Sequence, residues 1–551
     1  MTAPRLVNVA SCLAERALEE PDRVALILPR EKPGHGALTY AELHRESDLV
    51  AHGLESAAIG RGVRTALMVR PGRDFFVLVF AIAKVGAVPV IVDPGMGLAN
   101  LKRCLDQAEP EAFVGVLAAH AARVAMGWAR GTLRTKITVG GPALFGGTTL
   151  AALKSAARAG SPYAIAETRE DETAAVLFTS GSTGPPKGVV YTHGNFAAQI
   201  EALRAISPTS GPEKDLATFP LFALFDPALG MTTVVPDMDP SRPAKVDPAK
   251  IIAPILEHGV TTMFASPAVL KRVARYGTAH GVKLPTLRRV ISAGAPVDAL
   301  LIEQFLSMLG DGAQIFTPYG ATEALPVTSI GSSEILSPGV ARETRRGAGV
   351  CVGRPVPPMR ATVIGIDDGP IATWTDDLAL PRGAVGEIVV RGPVVTQSYF
   401  KAEAATALAK IDDGGETVHR MGDVGFIDEE GRLWFCGRKA HRVVTATGTL
   451  FSVPCETIFN AHPDVVRTAL VGVPSGRPGL ATPVLCVELE PGTRRRARRR
   501  IERELLALGE GAPQTRGITT VLFHPSFPVD ARHNSKIVRE KLALWAAAEL
   551  R

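Results

Sequence analysis

Short apolar runs alternating with longer amphipathic stretches set the rhythm of this chain. Between about residues 8 and 165, VASCLAERALEE and YAELHRESDLVAHGLESA carry apolar side chains at helical spacing, whereas TALMV and VPVIV are short runs of strand length. That alternation predicts an α/β domain, and it continues to about residue 400. VTTMFASPAVLKRVARYG reads as strand then helix, and LRRVISAG and AQIFTPYG read as strands, each ending in a turn signal. Two apolar runs, 174–178 and 189–191, bracket FTSGSTGPPKG and place that segment between strands. After GEIVVRGP the strands become shorter and turn-rich, as in HRMGDVGFIDEEGRLWFCGRKA. The last hundred or so residues, with ALVGVPS, TPVLCVELE and a helix near 498–508, read as a small α+β module. The boundary is expected near 438–440, without a long linker, dividing 1–437 from 438–551.

A chain of 551 residues with 46% hydrophobic content is too long for one core and predicts two or more domains. Arg5, Glu15, Arg16, Glu19 and Glu20 interrupt the N-terminal region, so no apolar core of signal-peptide length forms there. No apolar run reaches bilayer-spanning length, and the expected compartment is the cytoplasm. The six cysteines lack any C-x-x-C pair, which argues against a zinc site or disulfide framework and for small buried apolar residues. The net charge of +6 equals the six arginines at 494–496 and 498–500, so the remainder is balanced and no general nucleic-acid footprint exists. That arginine run leads into IERELLALGEG and reads as a solvated helix start; the competing reading is a contact with an anionic surface or protein partner.

Three stretches carry candidate chemistry. In the first, Gly181, Gly184 and Gly188 free the backbone, and Thr179, Ser180, Ser182 and Thr183 add hydroxyls that could wrap an anion beside Lys187. It is not a Walker A loop, which would need glycine at Pro186 and serine or threonine at Gly188. An ordinary surface loop is the competing reading. In the second, Tyr319-Gly320-Ala321-Thr322-Glu323 presents a ring, a hydroxyl and a carboxylate at a strand end, where open α/β sheets bind ligands. In the third, Asp423 of Met421-Gly422-Asp423 could accept hydrogen bonds from a sugar diol; apart from these three, Lys536 lies in a polar turn before a helix near the C-terminus. Alone, each of these acids reads as a surface carboxylate and Lys536 as an exposed lysine.

Their order changes the picture. TSGSTGPPKG, SAGAP at 292–296, YGATE, GEIVVRG at 386–392, MGD, GRK at 437–439 and NSKI together resemble the adenylate-forming superfamily of acyl-CoA synthetases, luciferases and peptide-synthetase adenylation domains, over almost the whole chain. The resemblance implies a large N-terminal adenylate-forming domain of stacked α/β subdomains and a small, mobile α+β C-terminal domain. It implies attack of a carboxylate on the α-phosphate of ATP to give an acyl-adenylate and pyrophosphate, after which a nucleophile displaces AMP. By that resemblance Thr179, Ser180, Gly181, Ser182, Thr183 and Lys187 line the triphosphate. Gly294, Ala295 and Pro296 border the adenine, and Tyr319, next to Gly320, stacks on it. Thr322 meets the α-phosphate, Glu323 holds Mg²⁺, and Asp423 assisted by Arg438 binds the ribose. Lys536 meets the reacting α-phosphate and carboxylate, with the hinge near Ala440.

The departures from the family cluster in parts that serve the second half-reaction. Ala223 stands where many CoA ligases have the histidine of P-L-F-H, Ala440 replaces the usual hinge aspartate or lysine, and Thr445-Ala446-Thr447-Gly448 replaces a lysine-rich loop. Met421 and Ser535 replace the threonine of T-G-D and the glycine of S-G-K. FPLFALFDPALGMTTVVPDMDPSRPA and FPVDARHNSKIVREKLALWA are similar to the β-lactone synthetases of bacterial long-chain olefin biosynthesis, a branch of the same superfamily. That resemblance implies a 2-alkyl-3-hydroxy fatty acid substrate whose own hydroxyl closes a lactone. The partners it implies are a thiolase-like condensing enzyme, a reductase and an α/β-hydrolase-fold decarboxylase. The alternatives are a long-chain acyl-CoA or acyl-AMP ligase and a catalytically silent nucleotide-binding scaffold; retention of Lys187, Glu323, Asp423 and Lys536 argues against the last.

Overall fold

The computed structural model describes residues 5–29, 36–156, 161–179, 185–206, 211–529 and 537–551. Among them, two seven-stranded sheets organise the first three hundred or so residues. In one, Arg64–Met68, Val88–Ile91, Ala112–Val116, Thr135–Val139 and Thr173–Thr179 run parallel, and Lys187–Thr192 closes an edge antiparallel to Thr173–Thr179. In the other, Val24–Ile27, Met231–Val234, Glu213–Ala217, Thr262–Phe264, Arg289–Ile291 and Gln314–Phe316 are parallel neighbours in that order. Parallel strands are covered on both faces, which is why they read as near-continuous apolar runs.

The covering helices follow local rules. In the helix Tyr40–Ser56, Thr39 Oγ1 accepts from the Glu42 amide at 3.2 Å while the Glu42 carboxylate accepts from the Thr39 amide at 2.8 Å, a reciprocal cap. Its inward face, including Leu43, Val50 and Leu54, packs with the helix Arg73–Lys84 in one continuous core.

A third, largely antiparallel sheet runs from Tyr319–Ala321 to Leu433–Arg438. The stretch around Met421-Gly422-Asp423, expected to form shorter, turn-rich strands, instead lies within the twelve-residue strand Glu416–Ile427. Gly422 at φ +65° and a register shift between Val424 and Gly425 bend that strand, and buried His419, Arg420 and Asp423 break the apolar alternation that would have announced it. AQIFTPYG is likewise two strands, Gln314–Phe316 and Tyr319–Ala321, in different sheets.

Beyond Arg438, the strands Val465–Pro474, Ala481–Leu489 and Thr520–Phe523 pack with the helices Ser452–Phe459, Arg498–Glu510 and Arg539–Glu549 around two cores of their own. The arginine run forms the turn Arg495–Ala497 and then the first turn of Arg498–Glu510, where Arg500 pairs with Asp464 and Glu504. Five cysteines are buried and Cys12 is half-buried, all as thiols. Among the described residues no helix is long and apolar enough to cross a membrane.

Candidate active site

The C-terminal ends of Arg289–Ile291 and Gln314–Phe316 lie side by side, so the segments that follow them share one edge of the sheet. The first is the loop holding Gly294, at φ +98°, with Ala295 and Pro296; Gly294 and Pro296 are exposed and Ala295 is half-buried. The second is Tyr319–Ala321 and the tight turn of Thr322 and Glu323 into the strand Ala324–Ser329. A Cβ on Gly320 would sit 2.5 Å from the Ala324 carbonyl oxygen, so this turn closes only with glycine there.

Asp423 comes to the same edge from the third sheet. Its Oδ2 accepts from the Tyr319 hydroxyl at 2.7 Å, and its Oδ1 lies 3.0 Å from Arg438 Nη1. Asp423 and Arg438 are opposite one another in the antiparallel ladder, which sets the pair by register. Arg438 also donates to the Met421 carbonyl at 3.3 Å. Burial, then the neighbouring carboxylate, pushes the Tyr319 phenol well above its usual range, so it stays a donor. The Asp423 charge holds the Arg438 guanidinium above its ordinary value. Three residues distant in sequence thus form one cluster.

Glu323 is braced from two sides. The Tyr399 hydroxyl donates to Glu323 Oε1 at 2.7 Å, and the Lys187 ammonium sits 5.0 Å from the centre of the Tyr399 ring. The Tyr191 hydroxyl donates to the Thr322 carbonyl. Desolvation raises both phenols, and the Glu323 charge adds to each. The 396–400 segment lies along the strand Lys187–Thr192, with Phe400 N donating to Gly188 O at 2.7 Å and Val190 N to Ser398 O at 3.2 Å. Thr396 then ties that segment to the turn, donating from N and Oγ1 to the Glu323 carbonyl at 2.9 and 3.1 Å. Lys187 stands opposite Thr179 in the hairpin register, at the base of the glycine-rich loop. Ser180, Gly181, Ser182, Thr183 and Lys536 lie outside the described residues.

The structure therefore gathers Tyr319, Gly320, Thr322, Glu323, Asp423, Arg438 and Lys187, with 294–296 on the neighbouring strand end. Tyr191, Thr396 and Tyr399 were not among the residues expected from sequence. Tyr399 lies just past GEIVVRG, and that proximity is the one signal that could have found it.

The fold is that of the adenylate-forming enzymes, and the comparisons define the class. The chain belongs to the AMP-binding enzyme family, which matches residues 13–400, and is an AMP-forming ligase. It is 50% identical over 556 residues to the olefin beta-lactone synthetase of Xanthomonas campestris pv. campestris, covering 99% of this chain and 98% of that one. With the olefin beta-lactone synthetase of Stenotrophomonas maltophilia it shares 49% over 558 residues, 99% of each chain. Among solved structures, the amide bond synthetase McbA from Marinactinospora thermotolerans matches with a TM-score of 0.79 at 24% identity, covering 98% of this chain and 99% of that one. ATP-bound MatB from Rhodopseudomonas palustris matches with 0.78 at 22%, covering 99% and 100%. These last two share the fold, and ATP use by this chain follows from its family.

Proposed function

We propose that this chain activates a 2-alkyl-3-hydroxy fatty acid with ATP and closes it to a β-lactone, releasing AMP and pyrophosphate. The observation that carries the reading is the 50% identity, along 99% of the chain, to a relative that bears the name olefin beta-lactone synthetase. In the first step a substrate carboxylate oxygen attacks the α-phosphorus, and the bond from that phosphorus to the pyrophosphate oxygen breaks. Lys187 faces the outer phosphates above the glycine-rich hairpin, and it pairs with no carboxylate among the described residues. Asp423 and Arg438 meet the ribose, Tyr319 and 294–296 the adenine, Thr322 the α-phosphate, and Lys536 the charge that develops there.

A Mg²⁺ ion fits the donors present. Among the described residues no group of three or more His, Cys, Asp or Glu side chains is placed to hold a metal, and Mg²⁺ characteristically takes one or two carboxylates together with substrate phosphates. Glu323, fixed by Tyr399, would supply the carboxylate, and the ion would neutralise charge on the phosphates.

In the second step the substrate's β-hydroxyl oxygen attacks the acyl carbonyl carbon, the bond from that carbon to the AMP oxygen breaks, and the hydroxyl proton leaves with the AMP phosphate. An oriented internal nucleophile has an effective concentration on the order of 10⁵ M or more, so no thiol route is required. Ala223, buried in the short helical turn Phe222–Phe225, and Ala440, exposed in the turn Lys439–His441, accord with that economy. A division at 437/438, with 438–551 as a moving lid that carries Lys536, belongs to the proposal, and the separate cores beyond residue 442 support it. The pathway partners belong to the proposal as well: a lactone product calls for a decarboxylating enzyme to consume it.

The test is to incubate the protein with ATP, Mg²⁺ and a 2-alkyl-3-hydroxy acid, with and without CoA. Lactone and AMP in equal amounts without CoA are expected. A thioester formed only when CoA is present would overturn the reading in favour of an acyl-CoA ligase.

A further inference from the structure

One cation beside the site has no part in the reaction just described. Lys410 ends the helix Glu403–Ala409 and opens the strand Lys410–Asp413. Its ammonium turns inward, donating to the Thr396 carbonyl and, at 3.4 Å, to Thr396 Oγ1. Thr396 in turn donates from Oγ1 and N to the Glu323 carbonyl at 3.1 and 2.9 Å. The ammonium form of Lys410 can only donate, so its bond to the Thr396 hydroxyl leaves that hydroxyl's proton for Glu323, which gives the relay one direction.

The surroundings make this an expensive place for a charge. Desolvation pulls the Lys410 ammonium down to about 7, although the nearby Glu323 charge opposes that effect. Across the ladder, His419 is buried, bonds the Ala409 carbonyl at 3.1 Å and is pushed well below its usual value by burial and then by the Lys410 charge. An aliphatic side chain of similar length would fill the same space without that cost.

We infer that Lys410 is a positioning residue, which holds Thr396 so that Thr396 fixes the Glu323 backbone and with it the direction of the Glu323 carboxylate. The inference rests on the assignment of Glu323 to the ATP side of the site.

Two measurements on the full-length protein test it. In hydrogen exchange without ligand, Lys410→Met should raise the exchange rate of the Thr396 amide about tenfold, whereas Lys410→Arg should keep it near wild type. In ATP–pyrophosphate exchange with the acid substrate, Lys410→Met should lose about ten- to a hundredfold in kcat with a smaller change in KM for ATP, and Lys410→Arg should recover most of it. In a Glu323→Gln background, Lys410→Met should cost no more than about twofold further, because the relay then ends on nothing useful. An unchanged Thr396 exchange rate, or losses that multiply in the double variant, would overturn the inference. Should Lys410→Met not fold, Thr396→Val removes the hydroxyl link alone, and its loss must vanish in Glu323→Gln in the same way. If the wild type shows no pyrophosphate exchange with any carboxylic acid, the adenylation reading fails, and the amide comparison still decides the role of Lys410.

Discussion

Arg420 and Asp423 stand three residues apart on one strand, both buried and both in ion pairs, yet the two pairs are built to different ends. Arg420 meets Glu387 at 2.7 Å, each side chain 1% exposed, and it also donates to the carbonyls of Asp367 and Gly369. Lys439 closes the other side of Glu387 at 3.0 Å. Asp423 meets Arg438 at 3.0 Å, but that arginine side chain is 33% exposed and the Tyr319 hydroxyl shares the carboxylate. The first network is sealed and acts as scaffold. The second opens on the edge where 294–296 and 319–323 meet, so it can trade contacts with a ligand. Burial of charge alone does not mark a site; an opening beside it does.

Substitutions should separate the two pairs by what each one damages. The largest expected effect falls on neither pair: Lys536→Ala should lower adenylate formation by on the order of 10³, since a cation aimed at developing charge is worth about that much, while the melting temperature stays put. Normal pyrophosphate release would remove Lys536 from the mechanism. Glu387→Ala strands Arg420 inside and should cost about 3–5 kcal/mol of stability in a urea titration. A loss below about 1 kcal/mol would mean that the sealed network is not scaffold. Asp423→Asn should show the opposite profile, with ATP–pyrophosphate exchange down about ten- to a hundredfold and stability nearly unchanged. Equal damage to stability and activity would erase the distinction between the pairs.

A pH-dependent effect comes from a third buried carboxylate. Asp215, beside Asp226 in the second parallel sheet, is raised from 3.8 to about 7 by desolvation. Its folded value exceeds its unfolded one, so the wild type loses stability as pH rises from about 4 to about 7. Asp215→Asn should lose that slope and gain stability over the wild type at pH 8 but not at pH 4, as urea midpoints would show. Parallel pH dependence in the two proteins would contradict the assignment.

The parallel sheets were legible in the sequence because strands covered on both faces announce themselves as apolar runs such as TALMV and VPVIV. Lys187, Tyr319, Glu323, Asp423 and Arg438 were legible because each lies within a spaced motif. Tyr191, Thr396, Tyr399 and Lys410 were not, since they reach the site through register. Tyr399 meets Glu323 across 76 positions and Tyr191 meets Thr322 across 131, and no local pattern encodes either distance. The length of the strand Glu416–Ile427 was hidden for a related reason: its buried His419 and Arg420 bond to partners elsewhere in the chain, so the stretch lacks apolar alternation.

If the second nucleophile is the substrate's own hydroxyl, a matched pair of acids will reveal it. AMP release should be followed with a 2-alkyl-3-hydroxy acid and with the same acid lacking the hydroxyl, each with and without CoA. With the hydroxyl, AMP should appear together with a lactone carbonyl seen by infrared, indifferent to CoA. Without it, pyrophosphate should form in a single burst while AMP release stalls, and CoA should not restart it. Should CoA restore AMP release from the deoxy acid and leave a thioester behind, the internal nucleophile is refuted.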